Sequence, residues 1–183
     1  MIAIPSTSRE SMNPDSAQAD ALPKQAIKHA EYIVEIAKRL ANGRRPGVLA
    51  TVDERGMPHL RWMATLSLHD WPLLHTITSP VSAKVTHIAN NPQVSWMFSN
   101  EELNIIVNIR GKARIVTDVA KTRKVWKFLE DKSKAYFLSI ANDGPGFAVL
   151  ETEIEDIDCI VPKYDIRFQA HAGDLNPAPE ATK

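Results

Sequence analysis

The spacing of apolar positions changes along the chain. Over residues 24–42, Ile27, Ala30, Ile33, Val34, Ala37 and Leu40 recur at three and four, with Lys28, Glu31, Glu35 and Lys38 opposite. That spacing predicts an amphipathic helix, and Gly43 suits its C-terminus. The period then falls to two. Residues 48–52 read as a strand, and Asp53-Glu54-Arg55-Gly56 as a turn in which Gly56 takes a positive φ. From 59 to 68 the alternation places Leu60, Trp62, Ala64, Leu66 and Leu68 on one face, predicted to be the core side. His59, Arg61, Met63, Thr65 and Ser67 form the other face, predicted to point out of the barrel.

Residues 73–78 predict a further strand, and Ser79-Pro80 opens a short helix over 81–90 that Asn91-Pro92 stops. Val94, Trp96 and Phe98 alternate along the next strand, which makes Trp96 a core residue by pattern. Residues 103–116 read as a long strand with Gly111 as a bulge or close-approach point. Asp118 caps a helix reaching 130, with Val119, Trp126 and Leu129 on its inner side. A short helical stretch is expected over 134–141, and a last strand over 147–160. The result is about six strands with flanking helices and few βαβ alternations, which disfavours a parallel doubly wound sheet. A small antiparallel barrel closes its own edges and fits better.

Composition narrows the picture. The 183 residues suit one domain, and 44 % hydrophobic content is ordinary for a globular chain. Lys plus Arg equals Asp plus Glu at 22 each, so no general attraction to nucleic acid or anionic membrane is expected. The single cysteine, Cys159, allows no intrachain disulfide and is read as a buried strand residue. No apolar run reaches membrane-spanning length and no secretory signal pattern opens the chain, so a cytoplasmic protein is expected. Residues 1–22, rich in Ser, Pro, Ala and Asp, read as a loosely ordered arm, 23–168 as the domain, and 169–183 as a tail.

The densest candidate chemistry lies in Thr76-Ile77-Thr78-Ser79-Pro80-Val81-Ser82-Ala83-Lys84, with four hydroxyls and a lysine where a strand passes into a helix. A helix N-terminus offers free N–H groups and partial positive charge, and hydroxyls and an ammonium added there make a phosphate site. On these residues alone the plain reading stands: Ser79 caps the helix, Ser82 is a polar first-turn residue and Lys84 is solvated. Arg61 has the donors for a phosphate or carboxylate, or for a surface ion pair. Of the six histidines none has zinc-protease spacing; His59 and His75 are expected on neighbouring strands, and no metal site is expected. No dinucleotide, Walker or nucleophile-elbow motif is present, and no general base stands out.

The order of the pieces is more specific than any one of them. Gly47-Val48-Leu49-Ala50-Thr51-Val52 leads into Asp53-Glu54-Arg55-Gly56-Met57-Pro58-His59; Arg61-Trp62-Met63 follows, then the Thr-rich strand, Ser82-Ala83-Lys84, Asn91-Pro92-Gln93-Val94 and Gly111-Lys112-Ala113. Over residues 25–160 this resembles the pyridoxamine 5′-phosphate oxidase-like, FMN-binding split-barrel family, in its general-stress-protein branch. The resemblance implies a six-stranded antiparallel split β-barrel of Greek-key type, mainly β, forming a homodimer with FMN in grooves at the subunit interface. It implies cofactor contacts from Arg61, Trp62, Met63, Thr76, Thr78, Ser79, Ser82 and Lys84, with Trp96 approaching from the partner chain. It names no catalytic residue and no metal. The activity implied is that of an FMN oxidoreductase on a small molecule; a flavin-binding stress module without turnover, or the same barrel holding haem or a deazaflavin, are the alternatives. Residues 163–183 carry no paired Trp and Arg element like that used by pyridoxamine phosphate oxidases near their substrate, so that particular reaction is not implied.

Overall fold

The computed structural model describes residues 30–42, 45–66, 70–127, 129 and 146–171. The expected arm 1–22, the stretch 134–141 and the tail beyond 171 lie outside the described residues. The elements are α1 (Ala30–Ala41), β1 (Gly47–Val52), β2 (Pro58–Met63), β3 (Leu73–Thr78), α2 (Ala83–Asn90), β4 (Gln93–Ser99), β5 (Ile106–Ile115), α3 (Val119–Lys127), β6 (Ala148–Val161) and β7 (Ile166–His171). All the strand pairs are antiparallel, in the order β2-β1-β4-β5-β6-β3, with β7 added on β6. One edge of β6 is divided: its first half pairs with β3 and its second half with β7. The chain beyond β2 reaches β3 through a Leu66–His75 bridge, with Leu66 N–H donating to the His75 carbonyl at 2.7 Å. That bridge joins the two ends of the strand order and closes a split barrel.

The interior is the inward period-two set: Leu49, Trp96, Phe98, Val107, Ile109, Ala113, Leu150, Ile154, Ile157 and Cys159 are all buried. Trp96 is only 1 % exposed, donates its indole N–H to Thr152 Oγ1 at 3.1 Å and stacks on Phe98. A buried indole needs such a partner for its one donor. Helix α1 lays Ile33, Val34, Ile36 and Ala37 against the strands, with β7 its main neighbour.

Several local sequence signals act as expected. Gly56 sits at φ 81 in the β1–β2 turn. Asp118 Oδ1 accepts from Lys121 N–H at 2.7 Å, capping α3. The register shifts at Arg110/Gly111, where a Cβ would press into the Glu153 carbonyl.

Several expectations are corrected. A seventh strand, β7, follows the expected last one and extends through His171, past the expected domain end at 168. Its alternation of Ile166, Phe168 and Ala170 with Arg167, Gln169 and His171 was visible in the sequence. Strand β5 begins at Ile106 rather than 103. Leu103 sits at φ 55 in a turn held by Asn100 Oδ1, which accepts from the Asn104 and Ile105 amides at 3.0 Å each. Val119 is exposed, because the first residue after the cap turns away and Val125 makes the buried contact. The largest correction concerns β2. Leu60 and Trp62 are each 71 % exposed, whereas Arg61 and Met63 are half-buried on the inward face. The size of Leu60 and Trp62 suggests an inward face, but the register puts Arg61 opposite Leu49, which is in the core.

Candidate functional site

Strand β3 runs directly into the turn before α2, and this brings Thr78, Ser82 and Lys84 together. Lys84 Nζ donates to Thr78 Oγ1 at 2.7 Å and to Ser82 Oγ at 3.1 Å, and the two hydroxyls are 3.2 Å apart. Ser82 is the N-cap residue of α2 but makes no side-chain cap bond. Its hydroxyl faces the lysine instead, leaving the first-turn amides without that partner. Ser79 contributes its carbonyl, accepting from Ser82 N–H at 3.1 Å.

Arg61 reaches the same region from β2. Burial pushes the Lys84 ammonium below its ordinary pKa, and the nearby Arg61 charge adds to that effect. Burial likewise lowers Arg61. Arg61 Nη1 donates to Thr51 Oγ1 at 2.7 Å and to the Leu49 carbonyl at 3.3 Å. Among the described residues neither cation has a carboxylate partner within salt-bridge distance. Two cations beside two hydroxyls, with no acid to neutralise them, form an anion-binding arrangement. A phosphate monoester fits this donor set: Nη1 of Arg61 is occupied, while Nε and Nη2 form a two-donor edge with no protein acceptor among the described residues.

The other candidates are dispersed. Thr76 is buried, and its hydroxyl donates to the Ala64 carbonyl. Met63 packs against the main core. Trp62 stands exposed on the outer sheet face. Trp96 lies in the barrel interior, as its strand pattern indicates, and the structure does not bring it to the Lys84 cluster. His59 and His75 are not on paired strands: His59 lies opposite Thr51, and His75 opposite Glu151. Among the described residues no group of three His, Cys, Asp or Glu is placed to hold a metal. Pattern reasoning missed Thr51 and His87, whose side chains meet at 3.0 Å behind Arg61. It also missed the buried Glu151, which lies under Arg114, Lys121 and His75. A pocket of about 400 Å³ lies between the β1–β2 turn and α2, lined by Asp53, Glu54, Arg55, Ala83, Thr86, His87 and Asn90. None of the candidate cofactor residues lines it.

Comparison with known proteins identifies the fold and the family. Among solved structures, general stress protein 26 from Bacillus anthracis strain Sterne is 24 % identical with a TM-score of 0.60, the match covering 76 % of this chain and 99 % of that one. A pyridoxamine 5′-phosphate oxidase-related, FMN binding protein from Nostoc punctiforme PCC 73102 is 18 % identical with a TM-score of 0.57, covering 84 % and 96 %. A heme binding protein from Mycobacterium smegmatis is 16 % identical with a TM-score of 0.62, covering 78 % and 59 %. At these identities the likeness shows the shared barrel. No curated protein sequence matches the chain. The family model for pyridoxamine 5′-phosphate oxidase matches residues 33–160, which is most of the described barrel. The chain therefore belongs to the pyridoxamine 5′-phosphate oxidase family.

Proposed function

We propose that this protein is an FMN-binding flavoprotein whose cofactor phosphate is held by Lys84, Ser82, Thr78 and Arg61. One observation carries the reading: the Lys84 ammonium lies between two hydroxyls and beside Arg61, with no carboxylate partner among the described residues. Burial first, and then the neighbouring Arg61 charge, disfavour the Lys84 ammonium, and a bound dianion offsets that cost. FMN, when bound, supplies hydride or electron transfer at its ring system. The chain binds and orients it, and the activity we propose is oxidation or reduction of a small molecule. The same site serves a flavin-holding module, and reoxidation of the reduced protein by a defined substrate separates the two. The buried Cys159 thiol, pushed up to about 11 by burial, needs no oxidising compartment and accords with a cytoplasmic setting.

We propose further that the protein is a homodimer that covers the outer face of β2, β1 and β4. Val48 lies opposite Trp62 on one side and Met97 on the other, so an apolar row crosses β2, β1 and β4 on the outer face. Leu60 and Trp62 are each 71 % exposed and Met97 43 %. A second copy would cover an apolar sheet face of this kind.

The test has two parts. The visible spectrum and mass of the copurifying ligand distinguish FMN from haem or a deazaflavin. FMN and riboflavin are then titrated into the parent and Lys84→Ala. Removing a charge-assisted contact, worth about 1.5–3 kcal/mol, should weaken FMN roughly ten- to a hundredfold and leave riboflavin unchanged. Equal weakening of both, or of neither, would remove Lys84 as the phosphate contact.

A further inference from the structure

We infer that Thr51 and His87 are positioning residues for Arg61, forming a hydrogen-bond relay that turns its free edge toward the phosphate. This rests on the FMN reading above.

The relay follows from counting protons. Arg61 Nη1 carries two, and both are used, on the Leu49 carbonyl at 3.3 Å and on Thr51 Oγ1 at 2.7 Å. Thr51 is fully buried, so its own hydroxyl proton has no water to meet. The acceptor within reach is His87 Nδ1, at 3.0 Å. In the relay we infer, Thr51 Oγ1 accepts from Arg61 and gives its own proton to His87 Nδ1, with the ring proton of His87 on Nε2. The His87 ring also meets the His59 ring, with centroids 4.7 Å apart, and His59 Nε2 donates to Asp53 Oδ2 at 3.1 Å. Asp53 is in turn locked into the β1–β2 turn by the Arg55 and Met57 amides, each 2.9 Å from Oδ1. The His59 bond, followed by the Met57 amide, holds its carboxyl well below the usual range, which keeps it an acceptor. Asp53, His59, His87, Thr51 and Arg61 thus form one chain of contacts from the turn to the guanidinium.

The consequence is geometric. With Nη1 tied back, the guanidinium plane is set, and Nε and Nη2 present their donors side by side, which matches two oxygens of one phosphate. Without the Thr51 hydroxyl the guanidinium keeps only the longer bond to the Leu49 carbonyl, and the ordering that the relay supplies must be met on binding.

The experiment compares the full-length parent, Thr51→Val and Thr51→Ser. FMN and riboflavin affinities are measured for each, and the His87 ring nitrogens are observed by ¹⁵N NMR. The parent should prefer FMN, Thr51→Val should lose about tenfold of that preference with riboflavin unaffected, and Thr51→Ser, which keeps the hydroxyl, should retain it. His87 Nδ1 should read as an unprotonated acceptor in the parent and change environment in Thr51→Val. If the parent prefers FMN and Thr51→Val keeps the full preference, the relay is overturned while the flavin reading stands. If Thr51→Val does not fold, Thr51→Ser decides: loss of the preference there overturns the relay. If the parent shows no preference for FMN, the flavin reading fails and the relay to a phosphate fails with it. A protonated Nδ1 in the parent overturns the relay irrespective of flavin.

Discussion

Glu151 and His75 face each other across the β6–β3 pair, with His75 Nε2 donating to Glu151 Oε2 at 2.8 Å and both side chains buried. Glu151 also accepts from Arg114 Nε and Nη2 at 2.9 and 2.6 Å, and from Lys121 on α3. Burial alone raises a carboxyl; here the Lys121, Arg114 and His75 hydrogen bonds outweigh it and hold Glu151 at about 2. The cluster therefore ties α3 to the outer face of the sheet through one carboxylate.

Acid should loosen this tie. The folded Glu151 pKa lies below its ordinary value of 4.5, so its contribution is complete above that value and is lost as pH falls toward about 2. Urea unfolding of the parent and Glu151→Gln at neutral pH and near pH 3 checks this: the variant should be less stable at neutral pH, and the gap should narrow in acid. A gap independent of pH would show that Glu151 acts through packing alone.

FMN affinity should fall at alkaline pH before ordinary lysines titrate. The Lys84 pKa is already depressed by burial and by Arg61, and a bound phosphate favours the charged form. Binding is then strongest while Lys84 is protonated and weakens as pH rises through its depressed value. Fluorescence titrations across the alkaline range should show this slope in the parent and lose it in Lys84→Met.

Gly111→Ala should destabilise the barrel by about 1–3 kcal/mol, the range for overpacking. The added methyl meets backbone at the Glu153 carbonyl, which cannot rotate away as a side chain can. Thermal unfolding measures it, and a melting temperature equal to the parent's would show that the bulge can open at little cost.

Trp62→Glu should convert the proposed dimer to monomer without unfolding it, because Trp62 is 71 % exposed in the single chain. Sedimentation at micromolar concentration reads the mass, and circular dichroism reads the fold. A parent that sediments as a monomer, or a Trp62→Glu that stays dimeric, would remove this face as the interface.

What could be read from the sequence was local. The turn at Gly56, the Asp118 cap, the Gly111 bulge and the Thr78, Ser82 and Lys84 cluster all involve residues close together in the chain, so residue type and spacing define them. The Leu60 and Trp62 orientation was read wrongly because period two gives two faces without saying which is inside, and an outer apolar row has the same pattern as a core row.

The sequence by itself determined the strand periods and placed hydroxyls and a lysine at the start of α2, because these depend on side-chain alternation and short-range backbone geometry, and the order of its motifs implied the antiparallel barrel through the family resemblance. Only the tertiary structure decided which face of β2 is inward, that Arg61 is tied to Thr51 and His87, and that Glu151 is buried against His75. The Thr51–His87 and His75–Glu151 partners are 36 and 76 positions apart in the chain. Such contacts come from strand register and barrel closure, which assemble residues that carry no mark of each other in sequence.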